Sequence, residues 1–541
     1  MKRTIIALLV FSSLSWSASS AKHEKMMKGP YEPTWESLSQ YGEAPEWFQD
    51  AKFGIWAHWG PQCQPEQGDW YARFMYDEGS RPYRWHVENY GHPSKFGFKD
   101  VINEWKAEKW EPEQLMALYK RVGAQYFFTL GNHHDNFDLW DSKHHDWNSV
   151  NLGPKKNIVG LWEKAARANG LRFGVSIHSA HAWTWYETAQ RSDKKGPLAG
   201  VPYDGKLTKA DGKGLWWEGY DPQELYAQNH ALSVESENTG KIHSQWGWEN
   251  GASIPDEAYL QNFLDRNIDM MNKYKPDMVY YDDTSMPLWP VSDVGLKAVA
   301  HYYNKSVKDN KGKNEAVVFA KILTEEQKEA VVWDVEKGVP DQIQSKPWQT
   351  CTCLGQWHYS KEVYDKNWYK SSKSVVHMLI DIISKNGNLL LNVPMRGDGT
   401  IDDKERAILE EIALWMDINK EGVFGTRPWK IFGEGPVAES SNPLHAQGFN
   451  EGKHKPYTAK DIRFVTKGDA LYAHVLKSPE DGKVIIQSLS TNNELYPNAV
   501  KKVELIGSKT PLKFNRTAEG LVVEIPADAK VNDISLLLKI S

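Results

Sequence analysis

The chain has 541 residues, which is too long for one hydrophobic core and predicts two domains, one of them large. Its formal net charge of −6 gives no basic signal for nucleic acid or anionic lipid as partners. Three cysteines form no disulfide framework, and the pair Cys351 and Cys353 alone is a poor metal signal. The 25 Trp, 24 Tyr and 17 Phe suit either core packing or stacking surfaces for a ligand with apolar faces.

The first residues have the pattern of an export signal. Lys2 and Arg3 give a positive start, an apolar run follows from Ile5 to Leu14, and residues 19–21 are small enough for cleavage. The run is too short for a transmembrane helix, so no membrane anchor is expected. We therefore predict a signal peptide over residues 1–21 and a mature protein in the periplasm or outside the cell.

Residues 22–424 alternate short apolar runs with amphipathic stretches, which predicts an α/β fold of the (β/α)8-like barrel type. The eight predicted strands cover Phe53–Trp59, Ala124–Leu130, Leu171–Ile177, 278–282, Ala316–Lys321, Val331–Glu336, Trp348–Leu354 and Asn388–Pro394. Predicted helices cover Pro112–Val122, Ile158–Ala168, Asp256–Lys273, Val375–Ser384 and Asp402–Asn419. The sixth and seventh strands are close together in sequence, so the pattern does not fix the place of a helix there.

Two segments depart from the barrel pattern. Residues 184–255 carry Trp185, Trp216, Trp217, Trp246 and Trp248 with little helical period, and we expect this insertion to shape the mouth of a site. Residues 425–541 place short strands between turn residues, which predicts a C-terminal antiparallel β-sandwich. This second domain holds few convergent acids or histidines, so its expected role is structural support.

Polar side chains follow several of the predicted barrel strands. In a parallel barrel these positions meet at the carboxyl face, where active sites are built. The apolar run 278–281 ends in Asp282 and Asp283, and strand side chains alternate, so we expect only one of this pair to point into the site. The full convergent set is His58, Asp69, His133, His134, His178, Asp282 and Glu336.

Two chemistries fit this set of residues. A metal-dependent hydrolase would use histidines and an aspartate as ligands, although these histidines lack the i, i+4 helical spacing of common zinc hydrolases. Glycoside hydrolysis needs two carboxylates, polar partners for hydroxyl groups and aromatic rings for the sugar faces. Asp282 and Glu336 stand at the ends of different strands and favour the second chemistry.

Five motifs carry a family resemblance. They read AKFGIWAHWG, GDWYARFMY, GNHHDNFDLWDSKHHDWNSV, KPDMVYYDD and SKNGNLLLNVPMRGDGTI, in this order, between about residues 35 and 420. With them the chain resembles the α-L-fucosidases of glycoside hydrolase family 29. The resemblance implies a (β/α)8-like barrel followed by a β-sandwich, and exo-acting release of L-fucose with retention through a covalent fucosyl-enzyme. The implied partner is a fucosylated oligosaccharide or a fucose-containing polysaccharide, with no cofactor and no metal; an oligomer is compatible with the sequence.

The resemblance also implies roles for individual residues. Asp282 matches the nucleophile, and Glu336 in VVWDVEKG matches the acid/base, with Glu325, Glu326 and Glu329 as rivals. Asp69 stands where the family often has Glu, and Lys321 stands where Arg is common. A non-catalytic fucose-binding protein would be expected to lack one carboxylate, and both are present. The predicted substrate-binding residues are His58, Asp69, Trp70, His133, His134, His178, Tyr280 and Trp357.

Overall fold

The structure is a computed structural model that describes residues 23–238, 247–445, 448–526, 529 and 533–541. The predicted signal peptide, residues 1–21, and Trp246 of the predicted insertion lie outside these ranges. Within them, no helix is both long enough and apolar enough to cross a membrane.

Eight parallel strands form a closed barrel in sequence order, and all eight correspond to predicted strands. The barrel closes where β1 pairs with β8, from Phe53 opposite Leu389 to Trp56 opposite Asn392. The strands are fully buried over most of their length, as their uninterrupted apolar runs require. They are β1 Phe53–Ala57, β2 Tyr126–Asn132, β3 Arg172–Ile177, β4 Met278–Thr284, β5 Val317–Lys321, β6 Val332–Glu336, β7 Trp348–Cys353 and β8 Gly387–Asn392.

Six long helices surround the barrel, and their ends follow local capping chemistry. The first ends at Gly123, whose φ of 107° suits glycine, and the last begins with a capping box between Asp402 and Glu405. They are α1 Pro112–Val122, α2 Ile158–Ala168, α3 Glu257–Tyr274, α4 Val294–Asp309, α5 Ser372–Ser384 and α6 Asp403–Asn419. Shorter helices cover Trp35–Leu38, Glu46–Ala51, Tyr71–Phe74, Arg81–Asn89, Phe98–Glu104, Ala182–Trp185, Pro222–Tyr226 and Lys361–Lys366.

The helical layer is interrupted beside β6. Only the short 3-10 helix Gln327–Glu329 lies between β5 and β6, and residues 337–347 between β6 and β7 contain no helix. The sequence pattern had left the placement of a helix in this stretch open. Residues of the C-terminal part of the chain pack there instead, with the side chain of Asn450 hydrogen-bonded to the backbone of Val339.

The C-terminal part forms two antiparallel sheets, as predicted. Two of its strands were not predicted. Pro428 and Gly433 interrupt the apolar pattern of β9, and β14 is short and charged. The larger sheet has the order β13-β16-β11-β10-β9, with β9 Arg427–Glu434, β10 Ile462–Lys467, β11 Ala470–Val475, β13 Val503–Leu505 and β16 Leu536–Ile540. The smaller sheet has the order β12-β15-β14, with β12 Lys483–Ile486, β14 Lys513–Arg516 and β15 Leu521–Glu524.

A buried charge cluster joins the larger sheet to the barrel. Arg463 of β10 is 1% exposed and donates through Nε to Asp381 of α5, which also accepts from Lys385 at 2.9 Å. Burial would raise the pKa of the Asp381 carboxyl, but Lys385 and Arg463 hold it well below its usual range. Because the folded pKa is depressed, this contribution to stability is present above about pH 4 and is lost as the pH falls below it.

Arg463→Met should lower the free energy of unfolding by about 3 kcal/mol, because it removes one partner from a buried ion cluster. Thermal and urea denaturation at pH 7 measure the loss. Arg427→Met is the matched control, since the Arg427–Asp50 pair also joins the two parts of the chain but is well exposed and should contribute about 1 kcal/mol or less. Equal losses in the two variants would contradict a special role for the buried cluster.

Candidate active site

A cavity of about 430 Å³ opens at the carboxyl ends of the barrel strands. Nine of the ten predicted site residues line it, and the tenth, His134, lies beneath it and contacts Asp282. Asn392 at the end of β8 holds two of its walls, because its side chain accepts from the backbone of His58 and donates to the carbonyl of Trp357. The lining residues are Trp56, His58, Asp69, Trp70, His133, His178, Tyr280, Asp282, Asp283, Lys321, Ile322, Glu336, Trp357, His358 and Phe449.

The alternation of β4 separates the two adjacent aspartates. Asp282 shares the barrel-interior face with Tyr280, whereas Tyr281, on the opposite face with Asp283, donates to Asn267 of α3. Asp283 is 4% exposed and accepts from His181 at 2.8 Å and from the backbone N–H groups of Thr284 and Leu288. Asp283 therefore holds the loop after β4, and Asp282 is the member of the pair that offers its carboxylate to the cavity.

Three cationic or donor groups surround the Asp282 carboxylate. Lys321 Nζ lies 2.6 Å from Oδ1, while His178 Nδ1 and His134 Nε2 lie 3.1 and 3.2 Å from Oδ2. Burial alone would raise the pKa of Asp282, but Lys321, His178 and His134 together hold it well below its usual range. Asp282 is therefore ionised at neutral pH, as a carboxylate nucleophile must be.

Lys321 also contacts the second predicted catalytic group. Its Nζ lies 2.6 Å from Glu336 Oε2, so the nearest oxygens of Asp282 and Glu336 are no farther apart than two N–O distances end to end, about 5.2 Å. Two carboxyl groups about 5–5.5 Å apart are typical of retaining glycosidases. Burial would lower the pKa of Lys321, but the two carboxylates hold it well above its usual range.

The rival acids lie elsewhere. Glu325 is exposed and paired with Lys328, Glu329 pairs with Lys346, and neither they nor Glu326 line the cavity. Glu336 Oε1, by contrast, accepts from Trp357 Nε1 at 3.2 Å inside the cavity. The geometry thus favours Glu336 over the other three glutamates.

The histidines offer neutral hydrogen-bonding groups to a ligand. Gln62 accepts from the backbone of Ala72 and donates to His133 Nδ1 at 2.8 Å, which leaves the His133 proton on Nε2. Burial holds the pKa of His58 and of His133 well below the usual range, so both rings stay neutral near pH 7. Among the described residues, His58 Nδ1 and both ring nitrogens of His358 are buried without a hydrogen-bond partner, and sugar hydroxyls can supply one.

Tyr280 and Asp69, which the sequence predicted as substrate-binding residues, also hold the structure of the site. The Tyr280 hydroxyl donates to Asp334 at 3.1 Å, below the cavity, so its ring forms part of the floor and its hydroxyl is already engaged. Asp69 accepts from the backbone N–H of His358 at 2.7 Å and thereby ties the loop after β1 to the loop after β7. Trp70, with φ of 61°, presents its ring to the cavity from the neighbouring position.

None of the described residues of the Trp-rich insertion lines this cavity. Residues 239–246 lie outside the described ranges, so the expected role of the insertion at the mouth of the site stays a prediction. Trp185 is fully buried, with its ring 4.8 Å from the rings of both Trp70 and His134, and supports the site from behind. The tryptophans indicated aromatic packing near the site, but the sequence alone could not show whether a tryptophan lines the cavity or packs behind the residues that line it.

Sequence reasoning assigned no role to four lining residues: Trp56, Ile322, His358 and Phe449. For Lys321 it noted only that Arg is common at this position in the family, although the place of Lys321 at the end of β5 was a further signal. Phe449 had none, because it belongs to the C-terminal segment between β9 and β10, which we expected only to support the barrel. That expectation is wrong at this point, since Phe449 reaches the cavity through the gap in the helical layer beside β6.

Two side-chain groups have the composition of a metal site. His58, His133 and His178 form one, and His134, His178 and Asp282 form the other, each with ligand atoms within 4.8 Å of one another. The Lys321 ammonium already occupies one oxygen of Asp282, and a metal ion there would lie close to a positive charge. The first group is therefore the better candidate for the metal-dependent alternative.

A closed parallel barrel with two carboxylates at its strand ends, in a pocket walled by aromatic rings and histidines, is the arrangement of a glycoside hydrolase. Residues 18–421 match the family model described as α-L-fucosidase, and residues 455–541 match that of the α-L-fucosidase C-terminal domain. The chain therefore belongs to the α-L-fucosidase family.

Individual relatives agree with this placement. The chain is 25% identical to tissue α-L-fucosidase of Rattus norvegicus, over 95% of this chain and 93% of the relative. It is 24% identical to the Homo sapiens tissue α-L-fucosidase, over 96% and 92%. The fold is similar to a crystal structure of Thermotoga maritima α-fucosidase, with a TM-score of 0.66, 24% identity, and coverage of 94% of this chain and 100% of that one.

Proposed function

We propose that this protein is an exo-acting, retaining α-L-fucosidase with Asp282 as nucleophile and Glu336 as acid/base. The observation that carries this proposal is the Lys321 bridge, which places an ionised Asp282 and Glu336 within about 5.2 Å of each other. Family membership supports fucose as the sugar, and the short distance between the two carboxyl groups supports retention of configuration.

In the first step, Asp282 attacks the anomeric carbon while Glu336, protonated, donates its proton to the leaving oxygen. The C1–Oδ bond forms as the glycosidic C1–O bond breaks, giving a fucosyl ester on Asp282. In the second step, Glu336, now a carboxylate, removes a proton from water, which attacks C1 and frees fucose with retained configuration.

The Lys321 charge matches both stages of this reaction. Before the first step, the ionised member of the pair is Asp282; in the ester intermediate, it is Glu336. The ammonium lies 2.6 Å from each, so it faces one negative charge at either stage without moving. Electrostatic stabilisation of this kind needs no reorganisation during the reaction.

The pocket is suited to a terminal sugar. Its floor is formed by Trp56 and Tyr280, both buried, so a glycan cannot continue beyond the residue bound there. His58, His133, His178, Asp69 and Trp70 are the proposed fucose contacts, His134 acts through Asp282 from beneath the cavity, and Trp357 bounds the leaving-group side. The proposed substrate is a fucosylated oligosaccharide or fucose-containing polysaccharide. The pattern of residues 1–21 supports a periplasmic or secreted location, testable by sequencing the N-terminus of the mature protein.

Wild-type protein should hydrolyse p-nitrophenyl α-L-fucoside and release the α-anomer of fucose first, as followed by proton NMR. The rate should not change after treatment with EDTA, since no step uses a metal. Loss of activity with EDTA and its recovery with Zn²⁺ would favour the metal-dependent alternative. Initial release of the β-anomer would contradict retention.

The acid/base assignment is tested in the same assay with two glutamate variants. Glu336→Gln should reduce turnover by about 10²–10⁴-fold, the usual size of a general acid–base contribution. Glu329→Gln, which alters an exposed acid outside the cavity, should leave turnover near that of wild type. The reverse result would move the acid/base role to the segment before β6.

A further inference from the structure

A short segment of the C-terminal part of the chain pairs with the end of strand β6. The Phe449 N–H donates to the Glu336 carbonyl at 2.9 Å, and the Glu451 N–H donates to the Lys337 carbonyl at 3.0 Å. Between them, the Asn450 side chain accepts from the Val339 N–H at 2.8 Å and donates to the Val339 carbonyl at 2.9 Å. Residues 448–451, here called the β6 clamp, are thereby fixed beside the proposed acid/base.

The backbone of the β6 clamp lies very close to the backbone of Glu336. A Cβ on Gly448, whose φ is 153°, would lie 1.9 Å from the Glu336 carbonyl oxygen, so only glycine fits. Phe449 has φ of 56°, in the left-handed region that costs a bulky side chain of order 1 kcal/mol or more. Strain of this kind persists where surrounding contacts enforce it. Here the side chain of Asn450 accepts from the Val339 N–H, and the side chain of Glu451 accepts from the Thr352 hydroxyl.

The strained conformation holds the Phe449 ring at the cavity, where it is 39% exposed. Ile322, next to Lys321, is the second large apolar side chain of the cavity that is exposed, at 45%, and it too has a left-handed φ, of 52°. A β-branched residue in that region is a genuine outlier. Two strained positions thus keep apolar side chains in solvent at one cavity, where burial would have been favourable.

We propose that Phe449 and Ile322 form the binding site for the sugar on the leaving-group side of the scissile bond. The proposal rests on the proposed function, because it takes Glu336 as the acid that protonates the leaving oxygen. The Phe449 backbone is bonded to the residue that carries this carboxyl group, and the leaving sugar must lie next to that group.

The chemistry of these two side chains indicates the class of leaving group. An aromatic ring and a branched aliphatic chain offer an apolar surface, which fits the C–H face of a pyranose ring. Trp357, which donates to Glu336 and lines the same cavity, adds a second ring on that side. The site therefore selects a hexopyranose with an exposed apolar face as the neighbour of fucose.

The test compares two substrates that share the fucosyl group and differ in the leaving group. α-L-Fucosyl fluoride has no leaving sugar, whereas an α-L-fucosyl-galactose disaccharide has one. Phe449→Asn removes the ring and keeps a residue that tolerates left-handed φ. We expect kcat/KM for the disaccharide to fall about tenfold, mainly through KM, and kcat/KM for the fluoride to stay within about twofold. Ile485→Asn, which alters an exposed residue of β12 at 46%, is the matched control and should change neither.

The outcomes separate this proposal from the proposed function. A wild-type enzyme that hydrolyses neither substrate would overturn the function and the subsite together. Wild-type activity with equal losses on both substrates in Phe449→Asn, or with no loss on either, would overturn the subsite alone. Melting temperatures of the three proteins identify a loss caused by misfolding, and Phe449→Leu, which retains apolar bulk, should recover part of the disaccharide rate.

Discussion

Asp282→Asn should reduce turnover of p-nitrophenyl α-L-fucoside by at least about 10⁴-fold, because a neutral amide cannot form the covalent intermediate. The carboxylate it replaces is held ionised by Lys321, His178 and His134, so the substitution removes the negative charge that these three groups share. Steady-state kinetics measure the loss. Binding of fucose should survive, since the side-chain volume is unchanged, and isothermal titration checks it.

The matched control is the neighbouring aspartate. Asp283→Asn leaves the cavity carboxylate in place and alters a group bonded to His181 and to two backbone N–H groups. We expect it to lower the melting temperature and to reduce turnover far less than Asp282→Asn does. Retained activity in Asp282→Asn with loss in Asp283→Asn would show that the nucleophile has been assigned to the wrong face of β4.

Lys321→Met should reduce kcat/KM by about 10²–10³-fold and move the acid limb of its pH profile to higher pH. The ammonium is one of the groups that hold the pKa of Asp282 below its usual range, against the effect of burial. Without it, the pKa of Asp282 rises, and the ionised nucleophile is lost at a higher pH as the solution is acidified. The pH dependence of kcat/KM measures the shift.

Lys321→Arg is the conservative control for charge. Arginine is common at this position in the α-L-fucosidase family, and one guanidinium can donate to two carboxylates at once. Activity within about tenfold of wild type, with an unshifted acid limb, is the expected result. A pH profile of Lys321→Met that coincides with that of wild type would contradict the electrostatic role of this lysine.

The barrel was predictable because its signals are local. Each strand is an uninterrupted apolar run ending in a polar residue, and the strand-end rule alone brought His58, His178, Asp282 and Glu336 to one face. The alternation of β4 predicted that only one of Asp282 and Asp283 faces the site, and the family motif selected Asp282. The proposed roles of these residues came from the family motifs, and the substitutions of Asp282 and Glu336 test them.

The rest of the site depends on contacts between distant segments. Phe449 lies more than one hundred residues after Glu336 in sequence and is apolar, so no periodicity marks it as part of a cavity. His358 follows a strand that carries no other polar group in the cavity, and its link to Asp69 joins residues 289 positions apart. Trp185 of the insertion is the opposite case, because an aromatic residue that could line a binding surface is fully buried behind the cavity wall.

The β6 clamp makes the end of strand β6 depend on residues that a truncated barrel would lack. A protein cut near residue 424 would keep both carboxylates and the whole barrel, yet it would lose the N–H groups of Phe449 and Glu451 that donate to the carbonyls of Glu336 and Lys337. With the proposed leaving-group site, the preference of this protein for the leaving sugar would depend on the segment after residue 424 as well as on the barrel.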